Sequence, residues 1–251
     1  MRIVPVLAVA CLLAGCGDPD PPAGPLPASS PPPAAVPSPV PRTFGTVLID
    51  PTSVPAPATP RPATTRATRP AGTTSGGWEI TVYYTAVERF HDGEREQVTG
   101  CPRLACRDGD TDLGTYPASF VQAVQDEGTG LTASGRYLNW SYDVGYWLDT
   151  AARDSFGGRL EPFVTAAADP DVLRRGTGFT ITGCGRQDDG SAPPAQVCAA
   201  LRDADWTIRD EFTPGLGGDR HLDAYIGPET GPGFTDSPWY TTVTGATLAI
   251  G

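Results

Sequence analysis

Apolar and polar side chains alternate along several short segments of the chain, which is the pattern of half-buried β-strands. The clearest segment is WEITVYYTAV at 78–87, which is rich in β-branched and aromatic residues. Turn residues separate the shorter segments of this kind, which lie near 162–168, 178–183, 205–210, 221–226 and 242–250. Many short strands with few helices indicate an all-β barrel or sandwich.

One segment has helical spacing instead. YPASFVQAVQDEG at 116–128 has a proline near its start, carries apolar Phe120, Val121 and Val124, and ends in glycine. These are the start and stop signals of a helix, so the sequence predicts one short helix here. The polar, glycine-containing residues 88–115 predict an irregular excursion.

The first sixteen residues, MRIVPVLAVACLLAGC, place one arginine before an apolar run that is too short to span a bilayer. They predict a secretory signal peptide over 1–15. The run ends in Leu-Ala-Gly-Cys at 13–16, which resembles a bacterial lipobox. The resemblance implies cleavage before Cys16, lipidation of its thiol, and a mature protein anchored by lipid to the outer face of the cytoplasmic membrane. An ordinary signal peptide cut nearby is the alternative.

Composition divides the remainder into two parts. Residues 16–77 hold seventeen of the 28 prolines with Ala, Thr and Ser between them, so they predict a disordered linker. Residues 78–251 predict one domain of ordinary size. That domain carries 13 arginines and 26 acidic residues, a formal charge of −13. This balance argues against nucleic acid and against anionic lipid headgroups as direct partners.

Four cysteines remain once the signal peptide and Cys16 are set aside: Cys101, Cys106, Cys184 and Cys198. In an exported domain they predict two disulfides, most simply 101–106 and 184–198, although three connectivities are possible. Zinc is the alternative, but spacings of five and fourteen residues match no familiar zinc pattern, so no metal site is predicted.

The order of several short motifs carries a resemblance to a known family. YYTA (83–86) precedes TASG (132–135) and TAAADPDVLRRGTGFTI (165–181), and the quoted motifs that follow are WTIRD (206–210), HLDAYIG (221–227) and VTGATLAI (243–250). This order resembles the 3D, or three-aspartate, domain of bacterial cell-wall proteins, which is similar to the catalytic part of the A-type membrane-bound lytic transglycosylases. The resemblance implies a six-stranded double-psi β-barrel whose three aspartates, here Asp169, Asp210 and Asp223, gather at one opening.

The resemblance also implies a reaction on the glycan strands of peptidoglycan. A lytic transglycosylase cleaves the β-1,4 bond between MurNAc and GlcNAc and leaves a 1,6-anhydro product. A single carboxyl of raised pKa suffices, because the same group donates a proton to the leaving oxygen and then takes one from the C6 hydroxyl. Asp223 would be this acid/base, with Asp210 and Asp169 orienting and tuning it. The reaction needs no cofactor, and we expect a monomer.

Further residues match family positions that face the site or have side chains suited to sugar. By resemblance these are Tyr84, Thr85 and Thr132; by chemistry they are Tyr142, Tyr146 and Trp147 for stacking and His221 for tuning the acid. Alternatively, these aromatic residues are buried in the core of the barrel. The loop DEFTPGLGGD at 210–219 departs from the family, which has Asp-Thr-Gly-Gly there and usually separates the second and third aspartates by eleven positions, whereas Asp223 stands thirteen positions after Asp210. Against the family pattern, residues 88–128 and 184–204 look like insertions. A barrel that binds glycan without cutting it is therefore the alternative function.

Overall fold

The computed structural model describes residues 72–107 and 109–251. The predicted signal peptide, lipidation at Cys16 and the linker as far as residue 71 lie outside these residues. The described chain is mainly β-structure with two α-helices and two single-turn 3₁₀ helices, Glu88–Phe90 and Phe234–Asp236.

The elements follow one another along the chain in this order: β1 (Thr73–Val87), β2 (Arg95–Gly100), β3 (Thr111–Pro117), α1 (Ala118–Glu127), β4 (Thr129–Leu131), β5 (Tyr137–Ser141), β6 (Gly145–Asp149), β7 (Thr165–Ala167), β8 (Gly178–Gly183), α2 (Ala195–Asp203), β9 (Trp206–Asp210), β10 (His221–Pro228) and β11 (Val243–Ile250).

Six of these strands close into a barrel in the order β10, β7, β9, β8, β11 and β1, with β1 pairing back onto β10. The β1–β10 and β7–β9 pairs are parallel, and the other pairs are antiparallel. Closure leaves the six strands without a free edge. The predicted all-β fold and six-stranded barrel are thereby confirmed.

Strand β1 is longer than the alternation predicts, because it begins at Thr73 and not at Trp78. Its first residues are Thr, Ser and Gly, whose side chains give no apolar signal, but their backbone pairs with the end of β11 from Thr73↔Ile250 onward. Residues 73–77, which composition assigns to the linker, therefore belong to the barrel.

Two additions flank the barrel. The antiparallel pair β2–β3 occupies most of 88–115, where the sequence predicted an irregular excursion. The ladder β4–β5–β6 continues from the end of β1 through Ala86↔Gly130 and Val87↔Leu131. The polar composition concealed the β2–β3 pair, because its strands bury only Val98, Leu113 and the residues at their ends.

The core fills the barrel and continues beneath the two helices. Ile80, Leu222 and Leu248 are almost fully buried on three neighbouring strands. Trp206 is fully buried, stacks on Phe179 at 6.4 Å between ring centroids, and donates its indole N–H to the carbonyl of Leu201 at 2.9 Å. That bond ties α2 to β9, and the apolar residues Val197 and Leu201 of α2 are buried against the same core.

The prediction of a single helix was wrong. Helix α1 is where the sequence placed it and ends at Gly128 in the left-handed conformation. Helix α2 lies within the predicted insertion 184–204, and its nine residues bury only three side chains, too few for a clear period. Neither helix in the described part of the chain has the length and apolar character needed to cross a membrane.

Both disulfides join the cysteines that the simplest pairing predicted. Cys101–Cys106 closes a short loop after β2, and Cys184–Cys198 ties the end of β8 to α2.

Candidate active site

The strand register brings two of the predicted aspartates together. Asp223 of β10 pairs with Ala167 of β7, and Ala167 pairs in turn with Asp210 of β9. On the other side, Asp223 pairs with Thr81 of β1. Residues that oppose each other in a ladder face the same way. Thr81, Asp223, Ala167 and Asp210 therefore form one row across four strands, with the methyl group of Ala167 between the two acids.

The row lies in a cavity of about 890 Å³. Its walls come from β1, the end of α1, the β5–β6 turn, the 153–160 loop, the β9–β10 loop and the loop at 104–107. The acids that line it are Asp126, Glu127, Asp143, Asp210, Glu211 and Asp223, against the basic side chains of Arg107, Arg153 and His221. Acidic side chains therefore outnumber basic ones in the lining of the cavity.

The surroundings of Asp223 stabilise a negative charge poorly. Its Oδ1 atom is buried and has no hydrogen-bond partner among the described residues. Burial raises the pKa of Asp223 to about 7, the Thr81 hydroxyl acts in the opposite direction, and the charge of Asp210 raises the pKa further. Asp223 can therefore hold a proton near neutral pH. Burial is the larger cause of the raised pKa, and repulsion from the charge of Asp210 is the smaller one.

Asp210 has a different environment. Its Oδ1 accepts hydrogen bonds from the backbone N–H of Ser155 at 3.0 Å, the Ser155 hydroxyl at 2.7 Å and the backbone N–H of Glu211 at 3.0 Å. Its Oδ2 accepts one from the Tyr83 hydroxyl at 3.3 Å. Burial raises the pKa of Asp210, while the bonds from Ser155 lower it. Burial outweighs these bonds, so the pKa of Asp210 is raised overall, but its engaged oxygens stabilise a charge better than the surroundings of Asp223 do.

Tyr83 on β1 and His221 on β10 also line the cavity beside the two acids. Burial and the charges of both Asp210 and Asp223 raise the pKa of Tyr83 well above its usual value, so its phenol stays neutral. His221 Nε2 lies 3.0 Å from the Thr81 hydroxyl, and its ring packs on Phe212 with centroids 4.5 Å apart. His221 stands two residues before Asp223, so strand alternation predicts that both side chains lie on one face of β10, and this contact agrees with that prediction.

Asp169 does not line the cavity. It follows β7 and begins a turn, because its carbonyl accepts hydrogen bonds from the backbone N–H groups of Val172 and Leu173. Its carboxylate lies directly against Gly217 in the β9–β10 loop and leaves no room for a side chain there. The structure therefore brings together two of the three predicted aspartates and places the third beneath the loop that joins their strands.

The two predicted site residues on β1, Tyr84 and Thr85, do not line the cavity. Tyr84 points away from the cavity and packs on Phe234 with centroids 4.9 Å apart, while its neighbour Tyr83 faces Asp210. Thr85 is fully buried and shares a 2.6 Å hydrogen bond with the Tyr225 hydroxyl. Thr81, which the sequence reasoning did not single out, stands opposite Asp223.

The other predicted sugar contacts are structural in this fold, with one exception. Thr132 is buried and bonds to Ser134 and to the carbonyl of Arg136, which closes the turn before β5. Tyr146 donates to the carbonyl of Val121, and Trp147 is fully buried. Tyr142 is the exception, because it is exposed on the cavity rim.

Exposed apolar side chains of the described residues collect at the mouth of this cavity. The four large ones are Tyr142 at 65%, Phe156 at 50%, Leu216 at 66% and Tyr240 at 41% exposed, and all four line it. They come from four separate loops. Such a patch around a polar cavity marks a binding surface and not a random scatter. Phe156 stands in no motif, and nothing in the pattern of the 210–219 loop marked Leu216 as an exposed rim residue.

Glu127 and Ser155 are the other site residues that sequence reasoning missed. Glu127 is the last residue of α1 and is buried in the cavity wall, although a glutamate at a helix end usually faces solvent. The described residues hold no cluster of three or more His, Cys, Asp or Glu arranged to bind a metal.

Comparison with known proteins gives matches among solved structures. The sequence matches no family model and no curated relative. The fold is similar to that of lytic transglycosylases. Escherichia coli MltA with bound chitohexaose is 13% identical, with 69% of this chain and 71% of that one covered and a TM-score of 0.45. A membrane-bound lytic murein transglycosylase from Agrobacterium tumefaciens is 9% identical, with 72% and 76% covered and a TM-score of 0.43. LtgG of Burkholderia pseudomallei is 14% identical, with 68% and 70% covered and a TM-score of 0.38. At such identities these likenesses concern the fold alone.

Proposed function

We propose that this domain is a lytic transglycosylase that cleaves the β-1,4 MurNAc–GlcNAc bond of peptidoglycan, with Asp223 as its single acid/base. The observation that carries the proposal is the buried, unpartnered Oδ1 of Asp223 in a cavity where the pKa of that carboxyl reaches about 7. A proton held there at neutral pH is what the departing sugar oxygen requires.

The reaction follows from the different environments of the two acids. Asp223 donates its proton to the glycosidic oxygen as the bond to C1 breaks. The hydrogen-bonded carboxylate of Asp210 stabilises the positive charge that develops at C1. Asp223, now a carboxylate, takes the proton of the C6 hydroxyl, whose oxygen bonds to C1 and closes the 1,6-anhydro ring. The cycle ends with Asp223 protonated again, and no second nucleophile is needed.

The rim supports a glycan substrate. Tyr142, Phe156, Leu216 and Tyr240 present apolar surface around the cavity mouth, on which the C–H faces of sugar rings pack. A barrel that only binds glycan would use the same rim, so cleavage has to be tested directly.

The test is replacement of Asp223 by asparagine in the purified domain. The wild-type domain incubated with peptidoglycan should release 1,6-anhydromuropeptides, measured by mass spectrometry. Asp223→Asn should lower the rate at least about a thousandfold, because it keeps the shape and removes the proton. It should still sediment with insoluble peptidoglycan.

Asp219→Asn is the matched control, since Asp219 is an exposed acid of the neighbouring loop and should leave the rate unchanged. Products with ordinary reducing ends would indicate a hydrolase in place of a transglycosylase. Sedimentation without any product from the wild-type domain would replace the proposal with the glycan-binding alternative.

We further propose that the protein is exported and anchored through lipid on Cys16. The lipobox-like sequence at 13–16 supports this proposal, and so do the two disulfides, which are typical of an oxidising compartment. Expressed in a bacterium, the full chain should partition with membranes, and Cys16→Ala should move it to the soluble exported fraction. Equal partitioning of the two forms would refute the anchor and leave an ordinary signal peptide.

A further inference from the structure

Glu127 is a second buried carboxyl in the cavity that the mechanism above does not use. It is 8% exposed, it lines the cavity, and no salt bridge involves it among residues 72–107 and 109–251. Burying a charged carboxyl without a cationic partner costs folding free energy, so the position of Glu127 in the cavity wall indicates a function that offsets this cost.

One oxygen of Glu127 supports the strand that faces Asp223. The pairing of β1 with β10 shifts register between Tyr83 and Thr85, which takes the backbone N–H of Tyr84 out of the regular ladder. Glu127 Oε2 accepts that N–H at 3.2 Å. Irregularities of this kind occur beside active sites because they re-aim side chains, and here the adjacent residue is Tyr83, which contacts Asp210.

The groups that surround Glu127 favour its uncharged form. It is the last residue of α1, where the helix dipole disfavours a negative charge. Asp223 on β10 and Asp126 on α1 are the charged groups that act on it most, and both are acids. The remaining polar neighbours are the Tyr84 N–H on β1 and the hydroxyl of Tyr240 from the loop before β11, both of which favour the charge. Burial is the largest cause, and together these groups raise the pKa of Glu127 well above its usual value.

We propose that Glu127 is a second working carboxyl of this site, which supports β1 through one oxygen and donates a hydrogen bond from its uncharged O–H to the bound glycan. The inference rests on the proposed function. An uncharged Glu127 adds no further negative charge beside Asp210 and Asp223 when Asp223 gives up its proton, and it offers a sugar oxygen a second hydrogen-bond donor next to the acid.

Two variants separate the hydrogen bond from the charge. Glu127→Gln is uncharged, accepts the Tyr84 N–H and keeps a donor, so it should cleave peptidoglycan within about threefold of wild type. Glu127→Met has similar length but neither donor nor acceptor, so kcat/KM should fall at least about tenfold, with weaker sedimentation on insoluble peptidoglycan. If Glu127→Gln, folded as the wild type, is as impaired as Glu127→Met, then a titrating carboxyl is required and the proposal is overturned. Wild-type rates in Glu127→Met would overturn it as well.

A stability measurement tests the uncharged state without any activity. A carboxyl whose pKa is raised in the folded state costs stability increasingly as pH rises above its ordinary value of 4.5. The Tm of Glu127→Gln relative to wild type should therefore increase from pH 5 to pH 8.

The two failures can be told apart. A Tm difference that stays flat for Glu127→Gln would show a charged Glu127 and overturn the inference, whatever the activity. A wild-type domain that yields no cleavage product would overturn the proposed function, and the sedimentation of Glu127→Met would then decide whether Glu127 contacts glycan.

Discussion

Asp210 and Asp223 stand on either side of one alanine but hold protons differently. Asp210 accepts four hydrogen bonds, while one oxygen of Asp223 accepts none from the described residues. Enzymes assign the charged role and the proton-donating role to two acids by giving them surroundings that move their pKa values apart. The division here is set by the Ser155 loop and not by the strands themselves.

The raised pKa of Asp223 predicts how cleavage depends on pH. Donation needs the protonated form, so kcat/KM should fall as pH rises through about 7. Initial rates of anhydromuropeptide release across pH 5 to 9 measure this limb. A rate that keeps increasing up to pH 9 would contradict the assignment of Asp223 as the acid.

The same shift predicts that the acid costs stability. The folded pKa of about 7 exceeds the ordinary value of 3.8, so the cost is absent below pH 3.8 and complete above pH 7. The difference corresponds to at most about 4 kcal/mol. Asp223→Asn should unfold at a higher temperature than wild type at pH 8, and the difference should shrink toward pH 4.

At the residue scale, the sequence reasoning identified the acids better than their neighbours. Motif order singled out Asp210 and Asp223, which the register does bring together. It chose Tyr84 where the face of the strand requires Tyr83, because a two-residue period locates a face only once the facing residue is known. Ser155 and Glu127 stand in no motif, and their contacts arise from loop and helix positions that a sequence does not encode locally.

At the scale of elements, the barrel strands were predictable and the additions were not. The runs near 178–183, 205–210 and 221–226 alternate clearly because one face of each is buried in the barrel. Strands β2 and β3 and helix α2 bury few side chains, so their periods are weak, and tertiary contacts and a disulfide fix them.

The β9–β10 loop shows why the departure from the family spacing is compatible with the same pair of acids. Asp223 follows Asp210 by thirteen positions, but the register that aligns the two acids is set by β7 between them. The loop packs Gly217 on Asp169 and contributes Leu216 to the rim. Its length therefore changes the rim and not the distance between the acids.

At the scale of the whole molecule, the apolar rim predicts where glycan affinity comes from. Tyr142 is 65% exposed on the β5–β6 turn and contacts none of the acids by a hydrogen bond among the described residues. Tyr142→Ala should weaken sedimentation with insoluble peptidoglycan roughly tenfold, as expected for about 50 Å² of apolar contact. The Tm should stay within about 2 °C of wild type, since the side chain is outside the core.

The described residues offer no exposed tyrosine away from the rim that could serve as a matched control. Asp219→Asn is therefore the reference variant for sedimentation as well. Undiminished sedimentation of Tyr142→Ala would show that this part of the rim does not touch the glycan.

The short loop closed by Cys101 and Cys106 forms part of the cavity wall. Leu104, Ala105, Cys106 and Arg107 all line it, and Leu104 packs against Gly157 on the facing loop. The barrel ladder does not depend on this bond, so breaking it leaves the acids in place while freeing one side of the groove. Oxidation of these two thiols is then expected to complete one wall of the groove on a barrel that has already folded, so glycan binding should depend on the redox state of this single cysteine pair.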